Sequence, residues 1–374
     1  MSGFYVHVPF CKKKCSYCDF HFSTRFEGYR EEMIASIGQE IIERKREYPS
    51  PLKSIYFGGG TPSLLTSKEL SFLIKTIQEN YIIDSSVEVT LEANPEDVSL
   101  ENLLLWANIG FNRLSVGLQS FKGIDLKWMN RGHSAQEALS CIGLAKSAGF
   151  NDISVDLMYG LPGLKKEEWV THLKTVINAG VSHVSAYCLT VEKGTLLSAE
   201  VKKGKRSIPE DDIIEEQYLL LVSFLKENGF DQYEVSNFAK KERYSKHNSS
   251  YWKGISYIGV GPSAHSFKEG YRRWNVSNNS LYIKAFKEKK LYHEEEFLSH
   301  EEKWNELFLT GLRTKWGVSK SQITSFGGLT KKERVVLNQY ILDGKLEEGP
   351  TQIVLSDSGF LFADAIAKDF FRVS

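Results

Sequence analysis

The sequence predicts an α/β fold: a partial, open (βα)6 barrel of the TIM type, then an α+β extension, then a small C-terminal winged-helix-like domain. Three observations predict it. Short β-rich segments alternate with longer segments of helical period through residue 187, an irregular Gly/Tyr/His/Asn-rich stretch occupies 230–279, and residues 301–371 carry helical patterns and a hairpin.

The strand segments are 4–8, 54–57, 87–91, 113–116, 152–157 and 183–187. Between them, apolar residues recur at helical spacing over 29–46, 67–81, 100–107, 135–147 and 165–179. Two of these helices run into Ala148-Gly149 and Ala179-Gly180, where glycine permits a left-handed cap. Strand–helix–strand units of this length build a parallel sheet with right-handed crossovers. Six of them fall short of a closed eight-fold barrel, so the sheet stays open, with its site at the C-terminal strand ends. A long helix is expected over 210–228. Helices over 301–312, 320–326 and 331–342, a hairpin of Leu346 with 353–355 and a final helix over 359–371 complete the chain. The expected divisions are 1–230 for the barrel, 231–299 for the extension and 300–374 for the C-terminal domain.

The composition, 41% hydrophobic and 25% charged over 374 residues, excludes collagen-like and disordered classes and leaves material for a large core. Lys+Arg and Asp+Glu both total 47, which argues against binding nucleic acid or anionic membrane through bulk charge. No apolar run approaches the roughly 18 residues that span a bilayer, and the N-terminus reads as a first strand without a basic leader. Three of the five cysteines crowd into residues 11–18, which suggests reduced thiols holding a metal in a cytoplasmic protein.

Cys11-Lys-Lys-Lys-Cys15-Ser-Tyr-Cys18 directly follows the first strand. Three thiolates on one short loop can hold three irons of a cubane and leave the fourth open to a small molecule. The adjacent lysines would help keep the thiolates charged. A zinc site is the alternative and needs a fourth ligand, for which His7 and His21 are the candidates.

This spacing, C-x3-C-x2-C after a first strand with Tyr17 before the third cysteine, resembles the radical S-adenosylmethionine superfamily. The flanking Tyr5-Val-His-Val-Pro-Phe-Cys11 resembles its branch containing oxygen-independent coproporphyrinogen III oxidase and relatives. The resemblance implies a [4Fe-4S] cluster on Cys11, Cys15 and Cys18, whose open iron chelates S-adenosylmethionine for reductive cleavage to a 5′-deoxyadenosyl radical. It further implies cofactor contacts from Tyr5 and Tyr17, from Gly59, Gly60 and Thr61 in Gly58-Gly-Gly-Thr-Pro62, and from Glu92, Gln119, Arg131 and Asp156, some of them to a second cofactor molecule. Glycines let backbone approach a ligand closely, and a carboxylate at the end of the third strand can accept ribose hydroxyls. Read from the residues alone, Arg131 and Asp156 could equally form a structural ion pair.

Two departures separate this chain from the oxidase. Phe20 stands where the oxidase pattern carries a fourth cysteine, and His247-Asn-Ser-Ser-Tyr251-Trp252 resembles the heme-chaperone branch of the family. That branch implies heme and heme-accepting proteins as partners, with His247 as a candidate heme ligand and Tyr251 and Trp252 as flat apolar surface. His265, in Gly259-Val-Gly-Pro-Ser-Ala-His265, is a second candidate in the same region. The alternative is the oxidase itself, decarboxylating coproporphyrinogen III. No residue is assigned as catalytic. The lysine runs at 202–206 and 287–290 read as solvated faces, Cys141 and Cys188 as packed thiols, and the winged-helix-like end as a protein-packing unit, with no nucleic acid as partner. Peripheral membrane contact and oligomeric state stay open.

Overall fold

The first strand, β1 (Ser2–Val8), is buried on nearly every residue, as a strand central to a parallel sheet covered on both faces must be. The structure, a computed structural model, describes residues 2–47 and 50–373. Six βα units follow one another. β1 leads to α1 (Arg30–Glu43), β2 (Leu52–Gly59) to α2 (Ser67–Asn80), and β3 (Ile83–Ala93) to α3 (Leu100–Ile109). β4 (Arg113–Gln119) leads to α4 (Gly123–Trp128) and α5 (Ala135–Ser147), and β5 (Ile153–Tyr159) to α6 (Lys166–Asn178). β6 (His183–Cys188) leads to α7 (Leu196–Lys202) and α8 (Asp211–Glu227). β1 to β6 pair in parallel and in sequence order, so each crossover brings the next strand end beside the last. Capping boxes at Thr66 with Glu69 and Ser134 with Glu137 fix where α2 and α5 begin.

Residues 230–279 are not irregular. They form β7 (Phe230–Glu234), β8 (Asn237–Lys240), α9 (Lys246–Trp252), β9 (Tyr257–Val260), β10 (His265–Lys268) and β11 (Tyr271–Asn275), followed by α10 (Asn279–Glu288) and β12 (His293–Phe297). These strands extend both edges of one twelve-stranded open sheet, ordered β12-β11-β10-β9-β1-β2-β3-β4-β5-β6-β8-β7. β9 joins β1 in parallel, a pairing 254 residues apart in sequence that no local pattern announces. The acidic run at β12 lies beside Arg272 and Arg273 of β11, an opposite-charge cross-strand pairing.

A buried polar junction fastens this added edge to the barrel. Glu40 of α1, fully buried, accepts from Gly261 N at 2.8 Å, Asn275 Nδ2 at 2.8 Å and the Tyr282 hydroxyl at 2.6 Å. Arg44, one turn on, completes the ion pair and donates to the Gly259 carbonyl at 2.7 Å. An unpaired carboxylate could not persist there, so these donors specify the docking of β9–β11 and α10.

The C-terminal part contains α11 (His300–Leu312), β13 (Val318–Ser319), α12 (Lys320–Ser325), α13 (Lys331–Leu342), β14 (Leu346–Glu348), β15 (Gln352–Leu355) and a short α14 (Ala363–Lys368). Its three strands pair antiparallel in the order β13-β15-β14, giving the helix–strand–helix–helix–hairpin sequence of a winged helix. Trp304, Phe308 and Phe370 form its core, the last two stacked at 4.5 Å. Among the described residues no helix is long and apolar enough to cross a membrane.

Candidate functional site

The cysteine loop leaves β1 and is held from three sides. Cys11 N donates to the Ser23 carbonyl, Ser16 N to the Met129 carbonyl beyond α4, and Leu197 N of α7 to the Ser16 carbonyl. Asn130 Nδ2, on a residue in the left-handed region (φ 59°), donates to the Lys14 carbonyl at 2.7 Å. The loop is therefore clamped before any ligand binds. All three cysteines are free thiols, partly exposed toward one cavity.

Burial pushes the Cys11 thiol up to about 12 and the Cys18 thiol up to about 11. The lysines do not offset this as the sequence suggests. Lys12, Lys13 and Lys14 are exposed, and Lys12 pairs with Asp97. The cation beside the thiols is Arg131, whose Nη1 lies 3.5 Å from Cys15 Sγ, while Thr61 Oγ1 donates to Cys11 Sγ at 3.4 Å. Among the described residues no three His, Cys, Asp or Glu side chains are arranged to hold a single metal ion. The two candidate zinc partners are committed elsewhere. His7 bonds Tyr5 and the His21 carbonyl, and His21 Nε2 donates to Asn279 Oδ1 at 2.7 Å.

One cavity of about 380 Å³ at the strand ends collects Cys11, Cys15, Cys18, Tyr17, Gly59, Gly60, Thr61, Glu92, Gln119, Arg131 and Asp156. Tyr5 lines the two adjoining cavities, each of which shares Glu92 with it. The glycines also have a packing reason. A Cβ at Gly60 would lie 2.5 Å from the Phe10 carbonyl oxygen, and Gly59 (φ 108°) would meet the His7 ring at 2.6 Å. Glu92 accepts from the Tyr56 hydroxyl at 2.7 Å, and burial, with Asp156 nearby, raises its carboxyl to about 7. Asp156 is likewise raised by burial to about 6. Arg131 and Asp156 do not pair. Arg131 Nη2 instead donates to Asn94 Oδ1 at 2.6 Å and the Gly117 carbonyl at 2.7 Å.

Two wall atoms point to a polar occupant. Gln119 Oε1 and Arg131 Nε are buried without partners, and Gln119 is itself in the left-handed region (φ 64°). An occupant bringing a donor and an acceptor would satisfy both. The thiol trio, the flanking cation and these orphaned atoms fit an iron–sulfur cluster carrying a polar small molecule. Sequence reasoning passed over Asn94, which orients Arg131, and Tyr56, which holds Glu92. Both lie within two residues of a recognised position or on a recognised strand, but neither bears a diagnostic charge.

His247 sits elsewhere than its neighbours in the motif suggest. Its ring is 2% exposed, stacked on Tyr56 at 4.9 Å, with Nδ1 on Ser54 Oγ at 2.9 Å and Nε2 on the Tyr251 hydroxyl at 2.7 Å. Glu88 caps the first turn of α9 through the Lys246 and His247 amides. With both nitrogens engaged and burial holding its pKa down at about 3, this imidazole is a neutral strut between β2 and α9, unavailable to iron in this arrangement. Trp252, one step round the helix, faces a separate outer cleft, and His265 lines the same cleft.

The comparisons with known proteins agree with this geometry. Residues 5–176 match the radical SAM superfamily. The chain is 33% identical over 372 residues to a protein named heme chaperone HemW from Mycobacterium tuberculosis, covering 98% of this chain and 94% of that one. It is 33% identical over 378 residues to the protein of the same name from Bacillus subtilis, covering 99% of each. A zebrafish (Danio rerio) protein, radical S-adenosyl methionine domain-containing protein 1, mitochondrial, is 38% identical over 71% of this chain and 60% of its own. Among solved structures, coproporphyrinogen III oxidase (HemN) from Escherichia coli superposes with a TM-score of 0.85 at 21% identity, over 99% of this chain and 90% of that one, a likeness of fold.

Proposed function

The chain belongs to the HemW family of radical SAM proteins, and on that footing we propose that it is a heme chaperone, which binds heme and passes it to acceptor proteins. The observation that carries this reading is the similarity over nearly the whole chain, at 33% identity, to proteins named for that task. The likeness to the oxidase, at 21%, is one of fold and brings no activity with it. Phe20, 68% exposed at the mouth of the cysteine cavity, supports the same side of the choice, because it puts an unreactive ring where a thiol is expected of the oxidase.

In this reading Cys11, Cys15 and Cys18 hold a [4Fe-4S] cluster. Tyr5, Tyr17, Gly59, Gly60, Thr61, Glu92, Gln119, Arg131 and Asp156 surround S-adenosylmethionine. When bound, the pair supplies one-electron chemistry. The chain's own residues prepare the site for it. Arg131 sets a positive charge against the thiolates, Thr61 donates to Cys11, and Glu92 in its ionised form accepts hydroxyl donors. Membership in the superfamily accounts for the cluster and S-adenosylmethionine; heme as cargo is the further step proposed here.

Anaerobically reconstituted protein titrated with ferric heme, in parallel with a coproporphyrinogen turnover assay under reductant, tests the reading. Stoichiometric heme binding without porphyrin product is expected. Robust protoporphyrinogen formation would overturn it.

A further inference from the structure

A cleft of about 1170 Å³ lies between the β9–β11 edge with the end of α9 on one side and the C-terminal α11 and residues 316–326 on the other. It is distinct from the cysteine cavity and larger than most small-molecule sites. Flat aromatic faces stand in its walls, with Trp252, Tyr257, Trp274, Trp316 and Phe326 among its lining. His265 stands on this wall, exposed, its ring laid over Trp274 at 6.3 Å and 24°. No hydrogen-bond partner engages either of its nitrogens among the described residues. Two cations face the same space. Lys253 lies 3.6 Å over the Trp316 ring, and Lys303 crosses the small Gly270, where a Cβ would come within 2.3 Å of its Cε. Among the described residues neither lysine has a carboxylate within ion-pair distance. Of the cleft's acids, Glu296 and Glu306 are taken up by Arg272, and Glu269 is exposed at the rim.

We propose that this cleft is the seat of the heme and that His265, rather than His247, is its iron ligand. The assignment rests on the heme-chaperone reading and specifies where that cargo sits. A planar iron porphyrin with two carboxylates asks for three things: a lone pair for the metal, broad aromatic faces and cations for the carboxylates. The cleft offers all three, and His247 offers none without surrendering a buried hydrogen bond. The position is also close to the other site. His265, Tyr251 and Tyr257 also line an adjoining cavity with Tyr5, Phe20 and Glu92. That cavity shares Phe20, Gly59 and Glu92 with the cysteine cavity, so a single intervening cavity lies between the heme seat and the cysteines.

The test is ferric heme titration of the full chain, anaerobically reconstituted, read by the Soret band and by electron paramagnetic resonance. H265A is expected to weaken binding at least about tenfold and to lose the spectral signature of the imidazole ligand. H265G should regain that signature on addition of free imidazole, which a merely misfolded variant would not. K253E/K303E should weaken ferric heme but leave binding of its dimethyl ester unchanged. H265A binding heme with wild-type affinity and spectrum overturns this assignment while leaving the chaperone reading intact; wild-type protein that binds no heme overturns both.

Discussion

Replacing His247 with alanine separates a structural role from a ligand role, because the two predict different consequences in heme-free protein. The substitution removes the bonds to Ser54 Oγ and the Tyr251 hydroxyl, each worth about 1 kcal/mol net. It strands the Ser54 hydroxyl, whose residue is 1% exposed, and deletes a ring stacked at 4.9 Å on Tyr56. The adjoining polar cavity of about 270 Å³ lets water recover part of this loss. The balance is a destabilisation of about 2–4 kcal/mol. Scaling an unfolding entropy of about 2.1 cal/mol/K per residue to 374 residues, that becomes a fall of roughly 3–5 °C in Tm. Calorimetry of heme-free wild type and H247A measures it directly. A Tm unchanged to within about 1 °C would refute the strut, and loss of the imidazole signature at the iron in H247A would restore His247 as a ligand.

Four further outcomes follow from buried charge. His247 and His183, the latter bonded to Ser154 Oγ and the Tyr233 hydroxyl, are both held below their ordinary value by burial. The unfolded chain therefore takes up protons that the native one refuses. Stability should be full above pH 6.5 and fall below it, for His247 by about 1.4 kcal/mol per pH unit as pH drops toward about 3, with H247Q flattening the slope seen in urea titrations. Glu92 is raised from 4.5 to about 7, so apo stability should decline as pH rises through that interval. The S-adenosylmethionine affinity, if it depends on the ionised carboxylate, should rise between pH 6 and 8 by calorimetric titration; an equal rise in E92Q would remove Glu92 from the site. Glu40→Ala should cost about 3–5 kcal/mol, because it strands the buried Gly261 amide and Tyr282 hydroxyl and leaves Arg44 only Glu47 as its carboxylate, and a shift below about 1 kcal/mol would show that the junction at the β9–β11 edge is dispensable.

The barrel was legible because each of its strands is a buried apolar run answered by a helix of regular period, and periodicity is a local signal. β3 extends four residues before its expected start, since residues 83–86 are polar at three of four positions where the strand leaves the core. The added edges were illegible for a physical reason. β8, β9 and β10 are four residues each, punctuated by Gly254, Gly261 and Gly270, and take their regularity from strands far off in sequence. The cysteine cavity was legible nearly residue by residue, because its motifs end successive parallel strands and the topology gathers strand ends. The role of His247 was not. Residue type and aromatic neighbours mark a possible ligand, but whether an imidazole keeps a free lone pair depends on a serine 193 residues away.

The motif His247–Trp252 thus divides its labour by helix geometry. His247 and Tyr251 are four apart and share the face turned to the barrel, where one hydrogen bond joins them. Asn248 follows inward, donating to the Tyr233 hydroxyl at 3.1 Å. Trp252, about 100° further round, is the member turned to the outer cleft, its indole nitrogen buried without a partner and its ring under Arg313 at 5.1 Å. A short helix so pinned on one side and open on the other fixes the position of a cleft wall relative to the barrel. Tyr251 lies on that boundary, since it lines the barrel interior, the connecting cavity and the cleft at once. The motif can therefore be indispensable to cargo binding without any of its atoms touching the metal. Loss of heme on mutating it would identify the wall, and only a measurement sensitive to the iron's own ligand would identify the donor.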